Sequence, residues 1–420
     1  MIITNLPSAD ALPRLAADSV RAAARSNPIV FLIGSRQVGK STLLHGIAAD
    51  EDRRVLDLDD PSVRAALVDD PLRELESGQP LLIDEVQRLP SLFLALKRAV
   101  DRMGTKRKPG HFLITGSANP LSMRQVADGL TGRATYVRLH GLTRRETLGH
   151  AAAGAWESLL DNDVSRWPDT LKTLALPRGD WRSDALAGAF PWPRVHLREQ
   201  PDRDRWLSSY VRNHVDRDLR DHIAIAEPLR YHALMRLAAL RIGNLLNQAE
   251  LGRDARLSQP QVHRWLALME TTFLLTRLPS FGRNRTTRLI KTPKLYWNDT
   301  GLAMHLGERS EPAGVDLENL IFADLAAWCD AQPRSAAVTY WRTAGGREVD
   351  FILEAPSRGL LGIEVKSGRN VVPADAKHLI EFVNDRADEK KRAKGVLLYD
   401  GDREQQLHDQ VMALPWWKVL

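Results

Sequence analysis

The residues with the clearest chemical meaning lie near the N-terminus, where a glycine-rich segment follows an apolar run and precedes a helical pattern. The segment fits G-x-x-x-x-G-K-[ST] without a mismatch: Gly34, Ser35, Arg36, Gln37, Val38, Gly39, Lys40 and Ser41, with Thr42 next in the chain. Such a loop turns around a phosphate with its backbone N–H groups pointing inward, and a helix begins at the anion. We therefore predict an ATP-binding loop, with Lys40 on the β- and γ-phosphates and Ser41 on Mg²⁺.

Two later apolar runs end in residues that complete this chemistry. Residues 81–83 lead to Asp84 and Glu85, and residues 112–114 lead to Thr115 and Ser117. We predict that Asp84 binds the metal and that Glu85 polarises the attacking water. The hydroxyls after the other run are suited to positioning that water or sensing the γ-phosphate, and we favour Ser117 over Thr115.

An arginine is expected near the γ-phosphate, because negative charge builds on the phosphate oxygens during transfer. Arg133 follows the third run at a suitable distance and is our first choice, with Arg138, Arg144 and Arg145 as competitors. The alternative for each of them is a surface salt bridge. Such an arginine often comes from a neighbouring subunit, which favours a homo-oligomer.

The elements that must position these residues alternate regularly along the first 140 residues. Strand patterns at 29–33, 55–58, 81–83 and 112–114 are separated by helical patterns that include 41–49 and 92–103. Strands that alternate with helices indicate a parallel sheet covered on both faces.

The loop, the run 55–61, the two strand ends and the later 298–301 together resemble a prokaryotic AAA-type ATPase family. The resemblance covers nearly the whole chain, apart from 150–190, which we interpret as a family-variable insertion. Members carry a C-terminal domain of unknown function that combines a winged helix with a restriction-endonuclease-like fold. The resemblance implies an α/β protein with four parts: an AAA-type P-loop domain (1–148), a helical lid and linker (149–230), a winged-helix domain (231–300) and a nuclease-like domain (301–420).

The third part is strongly basic. Between Arg253 and Trp297 nine Lys or Arg residues face only two acidic ones. Two helical patterns followed by a hairpin predict a winged helix with a basic wing, and we expect it to bind DNA. The predicted contacts are Gln259, Gln261, Arg264, Arg283, Arg285, Arg288 and Lys291. The alternative is a winged helix that serves as a spacer or contacts proteins.

The fourth part holds carboxylates in a recognisable order. Asp350 closes one strand pattern, and Glu364 and Lys366 lie on one face of the next because side chains alternate along a strand. Together with Glu318 on the preceding helix they resemble the PD-(D/E)xK nuclease pattern, with valine where proline is usual. Such a set is suited to holding Mg²⁺ and orienting a water for phosphodiester cleavage, although it indicates the fold better than the activity.

Composition sets the outer limits. A chain of 420 residues with 43% hydrophobic and 27% charged residues is typical of a globular protein with several domains. No apolar run is long enough for a membrane span, no secretion signal is visible, and a single cysteine excludes an internal disulfide, so we expect a cytoplasmic protein. We predict a DNA-dependent ATPase that remodels duplex, branched or junction DNA. The alternatives are an ATP-gated metal-dependent nuclease and an ATP-binding regulatory DNA-binding switch.

Overall fold

The computed structural model describes residues 12–104, 108–116, 130–151, 155–174, 176–215, 227–282, 292–332, 336–355, 358–386 and 393–420. The chain divides into two compact units. The first extends to Leu142 and includes 149–151 and 271–273, and the second contains 143–148, 152–270 and 274–420. The predicted lid, winged-helix and nuclease-like segments therefore lie almost entirely in one unit, and the four-part division stays a prediction.

The first unit is built on a five-stranded parallel sheet with strand order β2-β3-β4-β1-β5. Its strands are β1 (Ile29–Ile33), β2 (Arg54–Asp57), β3 (Leu81–Asp84), β4 (Phe112–Thr115) and β5 (Ala134–Arg138). Its helices are α1 (Ala16–Ala24), α2 (Lys40–Asp50), α3 (Pro61–Asp69), α4 (Pro71–Leu75) and α5 (Leu92–Arg102). This alternation confirms the parallel sheet expected from the sequence.

Apolar residues determine this arrangement. All residues of β1, β3 and β4 are buried, as expected for strands covered on both faces. In α5 the residues Leu92, Phe93 and Leu96 face the core, whereas Leu94 is exposed. The sheet is thereby fixed against its helices, and the carboxyl ends of β1, β3 and β4 come to lie along one edge.

The second unit begins with helices and ends with a sheet. The helices before the sheet are α6 (Arg144–Thr147), α7 (Ala155–Asp161), α8 (Trp167–Leu174), α9 (Trp181–Ala187), α10 (Pro191–His196), α11 (Gln200–Tyr210), α12 (Pro228–Ala239), α13 (Gln248–Ala255), α14 (Gln259–Thr271), α15 (Thr300–Leu306) and α16 (Gly314–Ala331). A two-stranded antiparallel pair, β6 (Leu275–Leu278) and β7 (Lys294–Trp297), follows α14.

The sheet of the second unit has six strands in the order β12-β13-β11-β10-β9-β8. They are β8 (Ala337–Arg342), β9 (Glu348–Ala355), β10 (Gly359–Lys366), β11 (Lys394–Tyr399), β12 (Gln405–His408) and β13 (Val411–Pro415). Strands β8, β9 and β10 pair antiparallel, and β10 pairs parallel with β11 across the crossover helix α17 (Lys377–Asn384). A last short helix, α18 (Trp416–Val419), ends the chain.

The segment that the sequence leaves unexplained, around residues 156–192, is held to this sheet region by polar contacts. The buried Trp156 donates its indole N–H to Asp324 Oδ1 on α16 at 2.6 Å. Lys394, at the start of β11, donates from Nζ to the carbonyl oxygen of Asn162 at 2.8 Å. Trp156, Trp167 and Trp181 are therefore core residues of the second unit, whereas Trp192 is exposed. Among the described residues no helix has the length and apolar character needed to cross a membrane.

Candidate functional site

The loop of the predicted nucleotide site runs between β1 and α2 in a conformation that requires glycine. Gly34 has φ +150°, and a Cβ there would lie 2.3 Å from the carbonyl oxygen of Leu139. Gly39, which caps α2, has φ +94°. Both positions lie in the region that side chains disfavour. The glycines of the motif thus turn the backbone sharply between a strand and a helix N-terminus.

Lys40 is held inside this loop. Its side chain is buried and donates hydrogen bonds from Nζ to the carbonyl oxygens of Gly34 at 3.0 Å and Ser35 at 2.7 Å. The loop therefore wraps around an ammonium group, and the first residues of α2 present their backbone N–H groups at the same place. A concentration of positive charge and N–H donors of this kind suits the anionic oxygens of a phosphate.

Ser41, Asp84 and Thr115 meet at the carboxyl edge of the sheet. Ser41 Oγ donates to Asp84 Oδ1 at 3.0 Å, and the fully buried Thr115 hydroxyl donates to the same oxygen. The strand order explains the meeting, because β4 lies between β1 and β3 and Thr115 is in register with Leu32 of β1. The structure thus brings together three predicted site residues that are far apart in sequence, while their catalytic roles stay predictions.

These residues fit a magnesium ion. Mg²⁺ prefers oxygen ligands and is held in nucleotide sites by a few protein oxygens together with phosphate oxygens. The Ser41 hydroxyl and the Asp84 carboxylate, 3.0 Å apart at the start of α2, are such a pair of oxygens. Ser41 and Asp84 would therefore hold the ion, as the sequence predicts.

Glu85 follows Asp84 in a left-handed backbone conformation, with φ +56°. Its backbone N–H donates to Asp84 Oδ1 at 3.0 Å and to Thr115 Oγ1 at 3.1 Å, and its carboxylate accepts a hydrogen bond from the Gln87 side chain. A non-glycine residue in this region costs about 1–2 kcal/mol and persists where the surroundings hold it. The two backbone hydrogen bonds hold Glu85 in this conformation and so set the direction of its side chain.

His45 joins the site without having been predicted. Its Nε2 lies 3.1 Å from Asp84 Oδ2, and this hydrogen bond raises the pKa of His45 despite partial burial. Burial opposes ionisation of Asp84, but hydrogen bonds from His45, Thr115 and Ser41 outweigh it and lower the pKa of Asp84. The sequence did carry a signal, since residues four apart on a helix share a face and His45 follows Ser41 by four.

Arg14 is a second residue that sequence reasoning missed. It is buried, and it donates from Nη1 to the Val38 carbonyl at 2.8 Å and from Nη2 to the His140 carbonyl at 2.6 Å. A guanidinium has several donors in a rigid fork and therefore suits such a bridge. Arg14 thus ties the nucleotide loop to the chain that follows β5. Nothing in the local pattern around Arg14 indicates this partner.

The structure places Arg133 away from the loop of its own chain. Arg133 precedes Ala134, which is in register with Ile29 at the start of β1, whereas the loop follows the end of β1. Its guanidinium pairs with Asp101, with N–O distances of 2.7 and 3.1 Å. A role at the phosphates would therefore require Arg133 of another subunit. Arg138 lies nearer within the chain, in register with the last residue of β1.

The remaining predicted residues of the nucleotide site divide into two groups. Ser117 lies outside the described residues. Arg144 and Arg145 belong to the second unit, where they donate to the carbonyl oxygens of Trp417 at 3.3 Å and Leu174 at 3.1 Å. These two arginines therefore hold the second unit together.

In the basic part of the chain, Gln259 and Arg264 are exposed on α14. Gln261 is partly engaged, because its Oε1 accepts hydrogen bonds from the N–H and the hydroxyl of Ser258 at 3.1 and 2.8 Å. The order of α12, α13, α14, β6 and β7 is three helices followed by an antiparallel pair. The predicted wing residues Arg283, Arg285, Arg288 and Lys291 lie outside the described residues.

The basic patch needs one correction. Counting Lys294 among its surface charges is wrong, because the Lys294 side chain is only 4% exposed. Arg277 is not a free surface charge either, since its guanidinium forms an ion pair with Glu270, with Nε 2.9 Å from Oε2. Both residues lie on the antiparallel pair, and all four residues of β7, including Lys294, are buried.

The four residues predicted for the C-terminal site do come together in the structure. Asp350 Oδ2 accepts a hydrogen bond from the Val365 N–H at 2.9 Å, and Lys366 Nζ lies 2.7 Å from Glu364 Oε1. Strands β9 and β10 pair antiparallel up to the residues next to Asp350 and Glu364, so these two carboxylates lie at the same level of the sheet. Glu318 approaches from α16.

Lys294 lies among these carboxylates. Its Nζ is 3.5 Å from Glu318 Oε1 and 3.7 Å from Asp350 Oδ1, and it forms a close ion pair with Glu348. We call Glu318, Glu348, Asp350, Glu364, Lys294 and Lys366 the C-terminal cluster. Burial alone would lower the pKa of Lys294, but the charges of Glu318, Asp350 and Glu348 raise it above its usual value. These charges therefore favour the ammonium form of Lys294.

Burial and neighbouring negative charge change the pKa values of the carboxyl groups in the C-terminal cluster. Burial, with the charge of Asp350 added, raises the pKa of Glu364 to about 8 and that of Glu318 to about 7. Burial also raises the pKa of Asp350. Glu364 Oε2 is buried without a hydrogen-bond partner among the described residues. The cluster therefore has more carboxyl groups than its two lysines neutralise.

A parallel sheet with a glycine-bounded loop after its first strand, and with a hydroxyl–carboxylate pair beside that loop, defines a P-loop nucleotide-binding domain. Residues 26–148 match the family model described as AAA domain. Residues 179–313 match Domain of unknown function (DUF8612), and residues 313–419 match Domain of unknown function (DUF4143). The N-terminal part thus resembles AAA-type P-loop domains, and the rest resembles two domains whose function is unknown.

Uncharacterized proteins of Mycobacterium tuberculosis and Mycobacterium bovis are each 29% identical to this chain over 417 residues, which is 97% of this chain and 84% of the relative. Among solved structures, a Walker-type ATPase of Pyrococcus abyssi is similar with a TM-score of 0.43 and 15% identity, covering 71% of this chain and 99% of that one.

Proposed function

We propose that this protein hydrolyses ATP with Mg²⁺ and that its turnover depends on DNA. The observation that carries the first part is the 3.0 Å hydrogen bond between Ser41 and Asp84 beside the nucleotide loop. It joins the residue after the loop lysine to the carboxylate at the tip of β3, which is the pairing that a metal–triphosphate site needs. The match of residues 26–148 to the AAA domain model supports the same conclusion.

The residues of the loop have distinct tasks in this proposal. Lys40 exchanges its two loop carbonyl partners for oxygens of the β- and γ-phosphates, and the N–H groups at the start of α2 bind the same phosphates. Ser41 and Asp84 would hold Mg²⁺, and the ion would supply positive charge beside the phosphate oxygens. Arg14 keeps the loop in place through the Val38 carbonyl.

Glu85 acts on the attacking water. Its left-handed backbone is held by the Asp84 and Thr115 side chains, and its carboxylate accepts a hydrogen bond from the Gln87 side chain. A carboxylate at this place accepts the proton of the water as it attacks the γ-phosphate. The geometry also separates the two neighbouring acids by role, since Asp84 is committed to Ser41, Thr115 and His45.

An arginine for the γ-phosphate comes from a neighbouring subunit in this proposal. Arg133 lies at the far end of β1 in its own chain, where Asp101 holds its guanidinium in a fixed orientation. A homo-oligomer that places this edge against the next nucleotide site would supply the missing charge. Arg133→Ala is then expected to lower the turnover number and to leave nucleotide affinity unchanged, and mixing it with a Lys40→Ala chain should restore part of the activity.

The DNA part of the proposal is supported by the second unit. Exposed Gln259 and Arg264 lie at the start and in the middle of α14, the second helix of a pair that is followed by a two-stranded ribbon. Segment 283–291, between the two strands of that ribbon, carries four Lys or Arg and no acidic residue. Helix and basic segment would contact phosphates, as in proteins that place one helix in the major groove.

The deciding experiment measures the ATPase rate in the presence of single-stranded, duplex, forked and four-way DNA. Duplex or branched DNA should raise the rate of the wild-type protein and leave Lys40→Ala inactive. Arg264→Ala combined with Gln259→Ala should lose the stimulation and keep the basal rate. If no DNA changes the rate, the DNA-dependent part is wrong, whereas ATPase activity alone would still support the nucleotide site.

A further inference from the structure

Four residues of the C-terminal cluster, Glu318, Asp350, Glu364 and Lys366, were predicted from their sequence order to hold Mg²⁺. The structure adds Lys294 and Glu348 to them. Three carboxylates of the cluster, Glu318, Glu348 and Asp350, surround the ammonium group of Lys294. Lys294 belongs to β7, outside the strands that carry the carboxylates, and enters the cluster from the antiparallel ribbon. The residues present therefore do not fit the predicted metal ion.

We infer that Lys294 takes the place of the divalent cation in the C-terminal cluster, so that this part of the protein binds no Mg²⁺ or Mn²⁺ there and does not cleave DNA. A metal ion and an ammonium group compete for the same carboxylate oxygens. An ammonium has three N–H donors, and Lys294 has three carboxylate neighbours.

Burial of Lys294 makes replacement of its ammonium group by a metal ion unfavourable. The Lys294 side chain is 4% exposed, and the partner side chains Glu318 and Asp350 are 15% and 16% exposed. A metal ion could enter only if the ammonium left this pocket, and the stem of Lys294 is fixed because β7 pairs with β6 along four residues.

The other residues of the nuclease-like pattern also have partners within the protein. Lys366, which such a pattern would use to orient a water, forms an ion pair with Glu364 at 2.7 Å, and Asp350 accepts a backbone N–H of β10. The carboxylates thus have as partners two lysines, Arg342, the Tyr296 hydroxyl and a main-chain donor. The arrangement ties the ribbon to the sheet through charge, and among the described residues it leaves Glu364 Oε2 as a buried oxygen without a hydrogen-bond partner.

Removing the lysine should convert the cluster into a metal site. The test titrates nucleotide-free protein with Mn²⁺ and follows free Mn²⁺ by electron paramagnetic resonance, so that the nucleotide site contributes little. Wild type should bind no Mn²⁺ at the cluster. Lys294→Met should gain one Mn²⁺ per chain and a rise in its thermal midpoint when Mn²⁺ is added, because an ion that binds only the folded state stabilises it. Adding Asp350→Asn to Lys294→Met should remove both effects.

Lys418→Met is the matched control, because Lys418 is also a partly buried lysine of the second unit and pairs with Glu404 at 2.6 Å. It should gain no Mn²⁺. If Lys294→Met does not fold, the double variant Lys294→Gln/Glu348→Gln keeps the net charge of the cluster and should show the same gain. A folded variant that gains no Mn²⁺ would overturn the inference.

Measurements on the wild-type protein provide an independent test. The inference is wrong if wild type binds one Mn²⁺ per chain and Asp350→Asn abolishes that binding. It is equally wrong if wild type nicks supercoiled DNA in Mg²⁺ and Lys366→Ala abolishes the nicking. Both measurements use the C-terminal cluster alone, so their outcome does not depend on whether the protein hydrolyses ATP.

Discussion

Thr115 provides a direct test of the nucleotide site, because a single buried hydroxyl connects both acidic residues. Its Oγ1 donates to Asp84 Oδ1 and accepts the Glu85 N–H at 3.1 Å, and the side chain is fully buried. Thr115→Val replaces the hydroxyl by a methyl group of similar size. The change removes hydrogen bonds without creating a cavity, so that its effect reports the polar network alone.

The magnitude follows from the partners. A hydrogen bond to a charged group contributes about 1.5–3 kcal/mol. The Glu85 N–H keeps its second acceptor, Asp84 Oδ1 at 3.0 Å, so that no donor is left without a partner. Thr115→Val should therefore lower the free energy of unfolding by about 2 kcal/mol. Because Glu85 loses one of the two bonds that hold its backbone, we also expect the turnover number for ATP to fall about 10- to 100-fold.

Urea denaturation of nucleotide-free protein measures the first effect, and steady-state ATP hydrolysis measures the second. Thr115→Ser is the control: it keeps the hydroxyl and loses one methyl group, which costs about 0.8 kcal/mol, and its turnover number should stay near that of wild type. A valine variant that matches the serine variant in both measurements would refute the network. A valine variant that loses stability and keeps its turnover would show that Thr115 supports the fold without orienting Glu85.

Three further predictions concern the same site. Lys40→Ala should weaken binding of a fluorescent ATP analogue by about 10- to 100-fold, because charged hydrogen bonds to phosphate are lost, and unchanged affinity would contradict the loop assignment. Glu85→Gln should retain bound ATP while its turnover number falls by about 10²- to 10⁴-fold, as rapid-quench measurements can show, and near-normal turnover would mean that another group activates the water. His45→Gln should cost about 1 kcal/mol of unfolding free energy, and urea titrations across pH should show the difference from wild type largest between pH 3.8 and 6.5. The raised pKa of His45 contributes stability that is fully present below pH 6.5 and is lost as the pH rises through the raised pKa. The lowered pKa of Asp84 contributes stability that is fully present above pH 3.8 and is lost as the pH falls through the lowered pKa. A difference that does not change with pH would contradict the ion pair.

The sequence predicted local structure in the first unit well. The strand 29–33 is observed as Ile29–Ile33, and the helix 92–103 as Leu92–Arg102. A uniformly apolar run that ends in glycine or an acidic residue predicts a strand from a few adjacent residues, because strands of a parallel sheet are buried on both faces. The meeting of Ser41 with Asp84 follows from the same logic, since parallel strands bring their carboxyl ends to one edge.

Partners distant in sequence were not predicted in the same way. Arg14 reaches the His140 carbonyl across 126 positions, and nothing near Arg14 differs from an ordinary surface arginine. Arg133 has a partner in Asp101 that only the packing of α5 reveals. Trp156, in the part of the chain predicted as lid and linker, donates its indole N–H to Asp324 on α16 of the second unit. The sequence near each of these residues does not indicate which residue its side chain contacts.

Lys294 shows how a distant partner alters a functional argument. In the sequence, Lys294 adds to the basic stretch that favours DNA binding. In the structure, its ammonium group lies among three carboxylates inside the second unit. Without Lys294 and the paired Arg277, the basic residues left between 253 and 297 are Arg253, Arg256, Arg264 and the four of segment 283–291. Tyr340 holds the chain on both sides of that segment, since its carbonyl accepts the Phe281 N–H and its hydroxyl donates to the Thr292 carbonyl. The described residues on either side of the segment are thus fixed to β8, which pairs with the strand β9 that carries Glu348 and Asp350 of the C-terminal cluster.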